Sequence, residues 1–384
     1  MNISNRTLHL ALIASGLLFF QCGKTTETEV QTEASSTFVA NPQVVAEKPI
    51  AKLSIGDQAP PFNLPDVDGK FHKLEDFGDK DVLVINFTCN HCPTAQAYED
   101  RYIDLVKEYE GKSVAFLAIS PNSPIAVLPE ELGYTDLGDF HEEMKIRAEA
   151  KGYNFPYLYD GDTHEFSTAY GPTATPHVFV FDKSRKLTYS GRIDAKEKPG
   201  TGNSEDLRAA IEATLKGEAL PAESAQTPAF GCSIKWAWKN DYTIKTNEEW
   251  KKREVSLEKL SPAGLADLLK NDSDKLLLVN FWATWCGPCI IEYPEFVTMQ
   301  RIPDQLEKAL KFLKSKASAL PNYLMDTEDK YEVIKVVGSD WDGSLPITLL
   351  IEPEGKVAYR APGTIDALEL KRAIVDHPMI GRYY

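Results

Sequence analysis

Apolar runs of strand length, separated by amphipathic segments of helix length, recur through most of this chain. Residues 82–87, 114–119 and 276–281 are nearly continuous apolar stretches, the pattern of strands buried on both faces. Residues 94–109, 140–151 and 204–215 predict helices, and 166–170 a shorter one. A short strand is expected at 157–159, and a hairpin at 177–181 and 187–193 that turns at Asp182 and Lys183. Ahead of these, a small hairpin is expected around Gly69, where a tight turn needs positive φ. Strands alternating with helices and closed by a hairpin predict an α/β fold, a central mixed sheet flanked by helices.

The pattern then repeats. The strand 276–281 leads into a helix running to about residue 302, and Pro303 opens another helix at 305–315. Residues 323–326, 348–351 and 356–360 follow as strands, and 367–376 as a helix. No apolar run of strand length separates the two middle helices, so the second copy is expected to lack one core strand. The expected domains are 53–240 and 241–384, two copies of one fold in tandem. The segment 230–236 is rich in apolar residues after a loop and is expected to pack back on the first domain.

The beginning of the chain has a different pattern. Arg6 precedes an apolar run at 8–20, interrupted only by His9 and Ser15, so residues 1–22 are expected to be an export signal too short to span a bilayer. Residues 23–52 are rich in Thr, Glu, Gln, Ser and Ala and are expected to form a disordered tether. With 43% hydrophobic and 26% charged residues, the chain as a whole is globular in composition. The net charge of −15 repels phosphates and sets the chain against nucleic acid as a partner.

Candidate chemistry lies at the ends of two buried strands. Cys286-Gly287-Pro288-Cys289 joins the strand 276–281 to a helix, and Cys89-Asn90-His91-Cys92-Pro93 stands at the matching place after 82–87. A cysteine at a helix N-terminus faces unpaired backbone N–H groups and the positive end of the helix dipole. Both favour the thiolate, the nucleophilic form, and a second cysteine one turn on can close a disulfide. A purely structural disulfide would close too short a loop to constrain the unfolded chain much. Zinc would need four ligands together, and the two pairs belong to separate folds. Cys89, His91 and Cys92 do offer soft ligands to copper, a competing reading of the first pair. Alignment on Asn86-Phe87 against Asn280-Phe281 makes Cys92 the first-domain nucleophile, whereas alignment on the cysteine motifs makes it Cys89. His141, His164, His177 and His377 are scattered and read as surface or satisfied histidines.

Asn280-Phe281-Trp282-Ala283, followed by Trp285-Cys286-Gly287-Pro288-Cys289, resembles thioredoxin, and most of all the exported, membrane-anchored thioredoxin-like reductases. The resemblance implies a proline, expected to be cis, beside the disulfide, and Pro346 takes that place; Pro176 takes it in the first domain. Asn280 stands where thioredoxin has a buried aspartate, and an amide cannot accept a proton as a carboxylate does. Glu292 and Glu295 are expected to be solvated. Trp285 is the better candidate for a partner-docking surface, and Trp282 the alternative. The first domain resembles the peroxiredoxin-like, AhpC/TSA-type thioredoxin proteins, and in that comparison Cys232 is either a third, resolving cysteine or a small buried thiol. Thr88 lies four residues before Cys92, where the peroxidatic motif has three, and Arg192 is the candidate partner cation. Phe19-Phe20-Gln21-Cys22 resembles a lipoprotein cleavage box, which implies lipidation of Cys22; the alternatives are ordinary cleavage and an uncleaved anchor.

The family implies thiol–disulfide exchange with no organic cofactor and no metal. It implies protein disulfides and dithiols as substrates, a membrane or periplasmic electron donor, and a periplasmic or membrane-anchored location. Thiol peroxidase activity through the first domain, and a copper-binding redox module, are the alternatives. DsbA-type oxidants carry a histidine where His91 stands, whereas Gly-Pro accompanies reducing behaviour. Electrons are therefore expected to run from Cys286 and Cys289 to Cys89 and Cys92.

Overall fold

A computed structural model describes residues 38–128, 131–132, 135–252, 254–255, 257–299, 323–327, 329–338 and 340–380. The expected export signal with Cys22 and the expected helix 305–315 lie outside the described residues. Among the described residues, no helix is long and apolar enough to cross a membrane.

The first half is built on β3 (Val82–Phe87). It pairs in parallel with β4 (Val114–Ser120), so that Val84 faces Phe116, and antiparallel with β6 (His177–Phe181), so that Val84 also faces Val180. The strands β5 (Tyr157–Tyr159) and β7 (Leu187–Gly191) complete a five-stranded mixed sheet in the order β5-β4-β3-β6-β7. Alternation of side chains then divides the core. Val82 and Val84 face Tyr98, Tyr102 and Leu105 of helix α1 (Pro93–Glu108), together with Leu207 and Ile211 of helix α4 (Glu205–Lys216). Leu83, Ile85 and Phe87 face the other way, onto Phe62, Leu64 and Tyr170. Both faces of β3 are buried, which is why its sequence is apolar throughout instead of alternating. A hairpin of β1 (Asn63–Pro65) and β2 (Phe71–Lys73) turns at Gly69, whose φ is +81°. Helix α2 (His141–Lys151) and the short helix α3 (Glu165–Tyr170) flank β5.

Residues 38–52 differ from the expected disordered tether. They have no regular secondary structure, but they lie on the first half: Phe38 packs edge-on against His141 and Phe71, and Ala51 N–H donates to the Thr168 carbonyl at 2.8 Å. The Gly171 backbone approaches so closely that a Cβ there would stand 1.9 Å from Ala51 O. Composition predicts weak burial for such a segment, yet one aromatic ring and a few backbone bonds suffice to dock it. Past α4, helix α5 (Ala222–Ala225) leads to the segment 230–236, which packs back as expected: Ile234 and Trp236 are buried. Helix α6 (Asn240–Lys251) packs on the turn Pro124–Ala126 of the first half.

In the second half, β9 (Leu277–Phe281) pairs antiparallel with β11 (Ile347–Ile351), which pairs with β12 (Val357–Pro362). A separate parallel pair joins β8 (Glu258–Leu260) to β10 (Tyr323–Met325). Helices α7 (Pro262–Leu269), α9 (Lys330–Val337) and α10 (Ala367–Val375) supply Leu265, Val333 and Leu370 to the cores, and α8 (Gly287–Met299) follows β9. Among the described residues, the sheet of the second half has three strands against five in the first. The interval that would hold a further strand, 300–322, lies outside the described residues. The halves meet where Arg372 of α10 donates from Nε to Asp136 at 3.0 Å.

Candidate active site

Both cysteine pairs sit where a strand hands over to a helix; β3 is buried throughout, whereas β9, expected to be buried on both faces, is so only at Val279 and Asn280. In the second half β9 ends at Phe281, a short turn follows, and α8 begins at Gly287. Cys286 and Cys289 are joined as a disulfide, and the Cys289 N–H points at Cys286 Sγ from 3.3 Å. Cys289 is fully buried, whereas Cys286 keeps 5% exposure, so an attacking sulfur meets Cys286 first. The Leu345–Pro346 peptide is cis, and Leu345 packs against the cluster of Trp282, Ala283, Cys286 and Cys289. Trp285 is 72% exposed beside the disulfide, whereas Trp282 is buried against Tyr293 at 5.1 Å between ring centroids. The geometry therefore assigns Trp282 to packing and leaves Trp285 on the surface. Trp285, Leu345 and Trp341 help line an apolar cleft of about 550 Å³.

Glu292 corrects the expectation of a solvated carboxylate. It is 3% exposed and accepts from Ile365 N–H at 2.8 Å and from Asn280 Nδ2 at 3.2 Å. Asn280 also donates to Thr348 Oγ1 at 2.9 Å. Burial raises the Glu292 pKa, and the two hydrogen bonds only partly oppose it. A buried carboxyl is thus present on α8, three residues after Cys289, although Asn280 cannot supply it. The folded state holds this proton to higher pH than the unfolded chain, so stability falls as pH rises from the ordinary glutamate range through the raised value. Glu292→Gln is expected to flatten that slope, read by urea unfolding across pH 4.5 to 8 in buffers of constant ionic strength.

In the first half Cys92 is the N-cap of α1, with Pro93 as the first helical residue, where a missing N–H costs nothing. Its sulfur receives the N–H groups of Ala95 at 3.5 Å and of Cys232 at 3.3 Å. As a thiol it can instead donate to the Thr175 carbonyl at 3.2 Å. Cys89 lies beside it with Sγ 3.1 Å from Thr175 Oγ1, and the Thr175–Pro176 peptide is cis. Burial raises the Cys89 thiol, and its hydrogen bond to Cys92 raises it further. Burial also works against the Cys92 thiolate, but hydrogen bonds from the Cys232 and Cys89 thiols and from the two backbone N–H groups outweigh it, so Cys92 is held well below the usual thiol range. These contacts favour Cys92 over Cys89 as the nucleophile.

His91 is buried, and its Nδ1 lies 2.6 Å from Asp139 Oδ2. Asp139 also accepts from the backbone N–H groups of Asn90 and His91 at 2.9 and 3.1 Å, and from Asn122 Nδ2 at 2.8 Å. Burial disfavours the imidazolium, but the Asp139 charge and hydrogen bond outweigh it and raise the His91 pKa; the Asp139 carboxyl is correspondingly lowered against its own burial. Asp139 is the functional residue that sequence reasoning missed. It lies 48 positions from His91 in a loop without periodicity, and an isolated aspartate there carries no signal. Donor atoms of Cys89, His91 and Asp139 come within 4.8 Å of one another, a grouping that puts Asp139 in the place that Cys92 had in the copper reading. A metal ion bound there through His91 Nδ1 would have to displace the short His91–Asp139 bond.

The peroxidatic features are not brought together. Arg192 pairs from Nε with Asp206 at 2.6 Å, and Thr175, not Thr88, touches the sulfurs. His164 is satisfied on both ring nitrogens, by the Pro121 carbonyl and by Ala237 N–H, and His177 by Thr173 N–H and Ser190.

Residues 55–190 match the model of the AhpC/TSA family, and residues 257–331 that of thioredoxin. A thioredoxin of Chlorobaculum thiosulfatiphilum is 30% identical over 106 residues, which are 28% of this chain and 82% of that protein. The chloroplastic thioredoxin-like protein CITRX of Arabidopsis thaliana is 32% identical over 32% of this chain and 58% of its own length. The thiol-disulfide oxidoreductase ResA of Bacillus cereus is 31% identical over 25% of this chain and 59% of its own. The chain thus spans about three fifths of the length of these last two relatives.

Proposed function

Because this chain belongs to the thioredoxin family, we propose that it is an exported thiol–disulfide oxidoreductase with two exchange centres, Cys286 with Cys289 and Cys92 with Cys89. The observation that carries the reading is the Cys286–Cys289 disulfide between the end of β9 and the start of α8, with cis-Pro346 and the exposed Trp285 beside it. Cys286 attacks a partner disulfide to form a mixed disulfide, and Cys289 resolves it. Oxidising the dithiol needs no cofactor, since the partner disulfide takes the electron pair. Pro346 and Trp285 form the docking edge for a protein partner. The apolar run at 8–20 supports export, with Cys22 as the site of a lipid anchor and the periplasm or a membrane surface as the location. The partners are protein disulfides and dithiols and a membrane or periplasmic electron donor.

The two centres differ electrostatically. The imidazolium of His91 and the N–H groups around Cys92 stabilise the reduced, thiolate form of the first pair, which makes its disulfide the more oxidising. Electrons then pass from Cys286 and Cys289 to the first pair, and a gap of about 30 mV would bias that step by about 1.4 kcal/mol. Equilibration of the whole chain in glutathione buffers, with alkylation and peptide mass spectrometry, should show two reversible transitions, the second-half pair being the more reducing. The opposite order would refute the direction, and failure of Cys286 and Cys289 to titrate would refute the second centre. The AhpC/TSA match supports a second reading, thiol peroxidase through Cys92; peroxide consumption by the reduced chain at a rate above that of free thiol would favour it.

A further inference from the structure

We propose that Cys232 is the third redox-active sulfur of the first half: it forms a disulfide with Cys92 and is the sulfur that an external dithiol attacks. The proposal rests on the reading of the first half as an exchange centre. Three observations on the segment 230–237 carry it.

The first is contact. Cys232 packs against Cys89, Cys92 and Ala95, and its N–H donates to Cys92 Sγ at 3.3 Å. The three cysteines thus share one packed cluster, and the backbone of Cys232 touches the Cys92 sulfur directly.

The second is placement. Residue 232 pairs antiparallel with Thr175, whose N–H donates to the Cys232 carbonyl at 3.0 Å, directly before cis-Pro176. Gly231 makes the approach possible. A Cβ at that position would stand 2.0 Å from Thr175 O, and its φ of +145° is one that other residues rarely adopt. The following residues fasten the segment: Ser123 N–H donates to Lys235 O at 2.8 Å, Lys235 N–H to Asn122 Oδ1 at 2.9 Å, and Ala237 N–H to His164 Nε2 at 2.8 Å. The strand-like pairing beside the cysteine pair, where a partner chain would otherwise lie, is thus occupied by the protein's own backbone.

The third is access. Cys89 and Cys92 are 2% and 0% exposed, whereas Cys232 is half-buried, so an attacking thiol meets Cys232 first. Thiol exchange is fast when the attacked sulfur is reachable and the leaving sulfur is a stabilised thiolate. In a Cys92–Cys232 disulfide both conditions hold at once, with attack at Cys232 and departure of Cys92.

The step balances without a cofactor. A partner dithiol loses a proton, and its thiolate attacks Cys232 Sγ. The Cys92–Cys232 bond breaks and its electron pair leaves on Cys92. The partner's second thiol loses its proton, attacks the partner sulfur of the mixed disulfide and expels Cys232, which takes up one proton; the other goes to solvent. The partner ends as a disulfide and the chain holds the two electrons. In the oxidised chain, attack of deprotonated Cys89 on Cys92 moves the bond inward and releases Cys232.

Trypsin makes the test direct. Cys89 and Cys92 fall in the peptide 81–101, and Cys232 in 217–235. The full chain, oxidised in glutathione buffer and alkylated, should yield these two peptides linked, and Cys89→Ser should keep the link. Cys232→Ser should slow reduction of the first half by a reduced thioredoxin roughly tenfold or more, while dithiothreitol, small enough to enter, is affected less. A loop within peptide 81–101 alone, with Cys232→Ser reduced at the unaltered rate, overturns the proposal and leaves the exchange reading standing. No disulfide among the three cysteines at any buffer potential overturns both.

Discussion

Asp139→Ala is expected to destabilise the first half by about 3–5 kcal/mol, the cost of leaving one member of a buried ion pair without its partner. The size follows from what the carboxylate holds. It accepts from two backbone N–H groups of the Cys89–Cys92 turn, from His91 Nδ1 and from Asn122, all with the side chain out of water. Without it, four donors lose their acceptor in a space where few can find water. Against a total stability of about 5–15 kcal/mol for a domain, such a loss brings the half close to unfolding at body temperature. Urea unfolding followed by tyrosine and tryptophan fluorescence measures it.

The same pair sets a pH dependence whose sign can be stated. The Asp139 pKa is lowered on folding, so its contribution is present above the ordinary aspartate range and is lost as pH falls through the folded value. The His91 pKa is raised, so its contribution is complete below the ordinary histidine range and is lost as pH rises through the folded value. The pair is most stabilising between those limits. Asp139→Asn keeps most of the shape and removes the charge. It should lower the His91 pKa, withdraw the positive charge near Cys92 and make the first pair less oxidising. A mutant whose first-half potential stays at the wild-type value would show that His91 does not tune it.

Much of this architecture is legible in the chain because buried strands and helix starts have local signatures. The run 82–87 identifies itself by its apolar pattern and the motif around Cys286 by its resemblance to thioredoxin, and Pro176 and Pro346, expected to be cis, are so and stand just before β6 and β11. What the sequence conceals is long-range and polar. Nothing around Asp139 distinguishes it from a solvated loop aspartate, because its significance comes from chain closure and not from periodicity. Glu292 reads as an exposed helix residue because it is charged and its neighbour Ile291 is apolar, yet in the structure Ile291 is 76% exposed and Glu292 is buried. Residues 38–52 read as a tether because docking there depends on Phe38 and on backbone bonds that composition does not register.

Cys286→Ala is expected to remove disulfide exchange by the second half, a fall of about 10³-fold or more in the rate of insulin reduction, since no other sulfur of that half can replace the nucleophile. Cys289 is a poor substitute. It is fully buried behind the first turn of α8, and the helix N–H that faces the pair points at Cys286 Sγ. Cys289→Ala should act differently: Cys286 still attacks, but nothing resolves the mixed disulfide, so the partner stays covalently bound and can be recovered on a non-reducing gel. The asymmetry between the two variants is the diagnostic. Equal loss without a trapped partner would mean that Cys286 does not attack protein disulfides. Cys286→Ala also tests the relay, because a reductant that acts only on the second half should then leave Cys92 oxidised. If Cys92 is reduced as fast as before, electrons reach the first half by a route of their own, and the two centres work in parallel instead of in series.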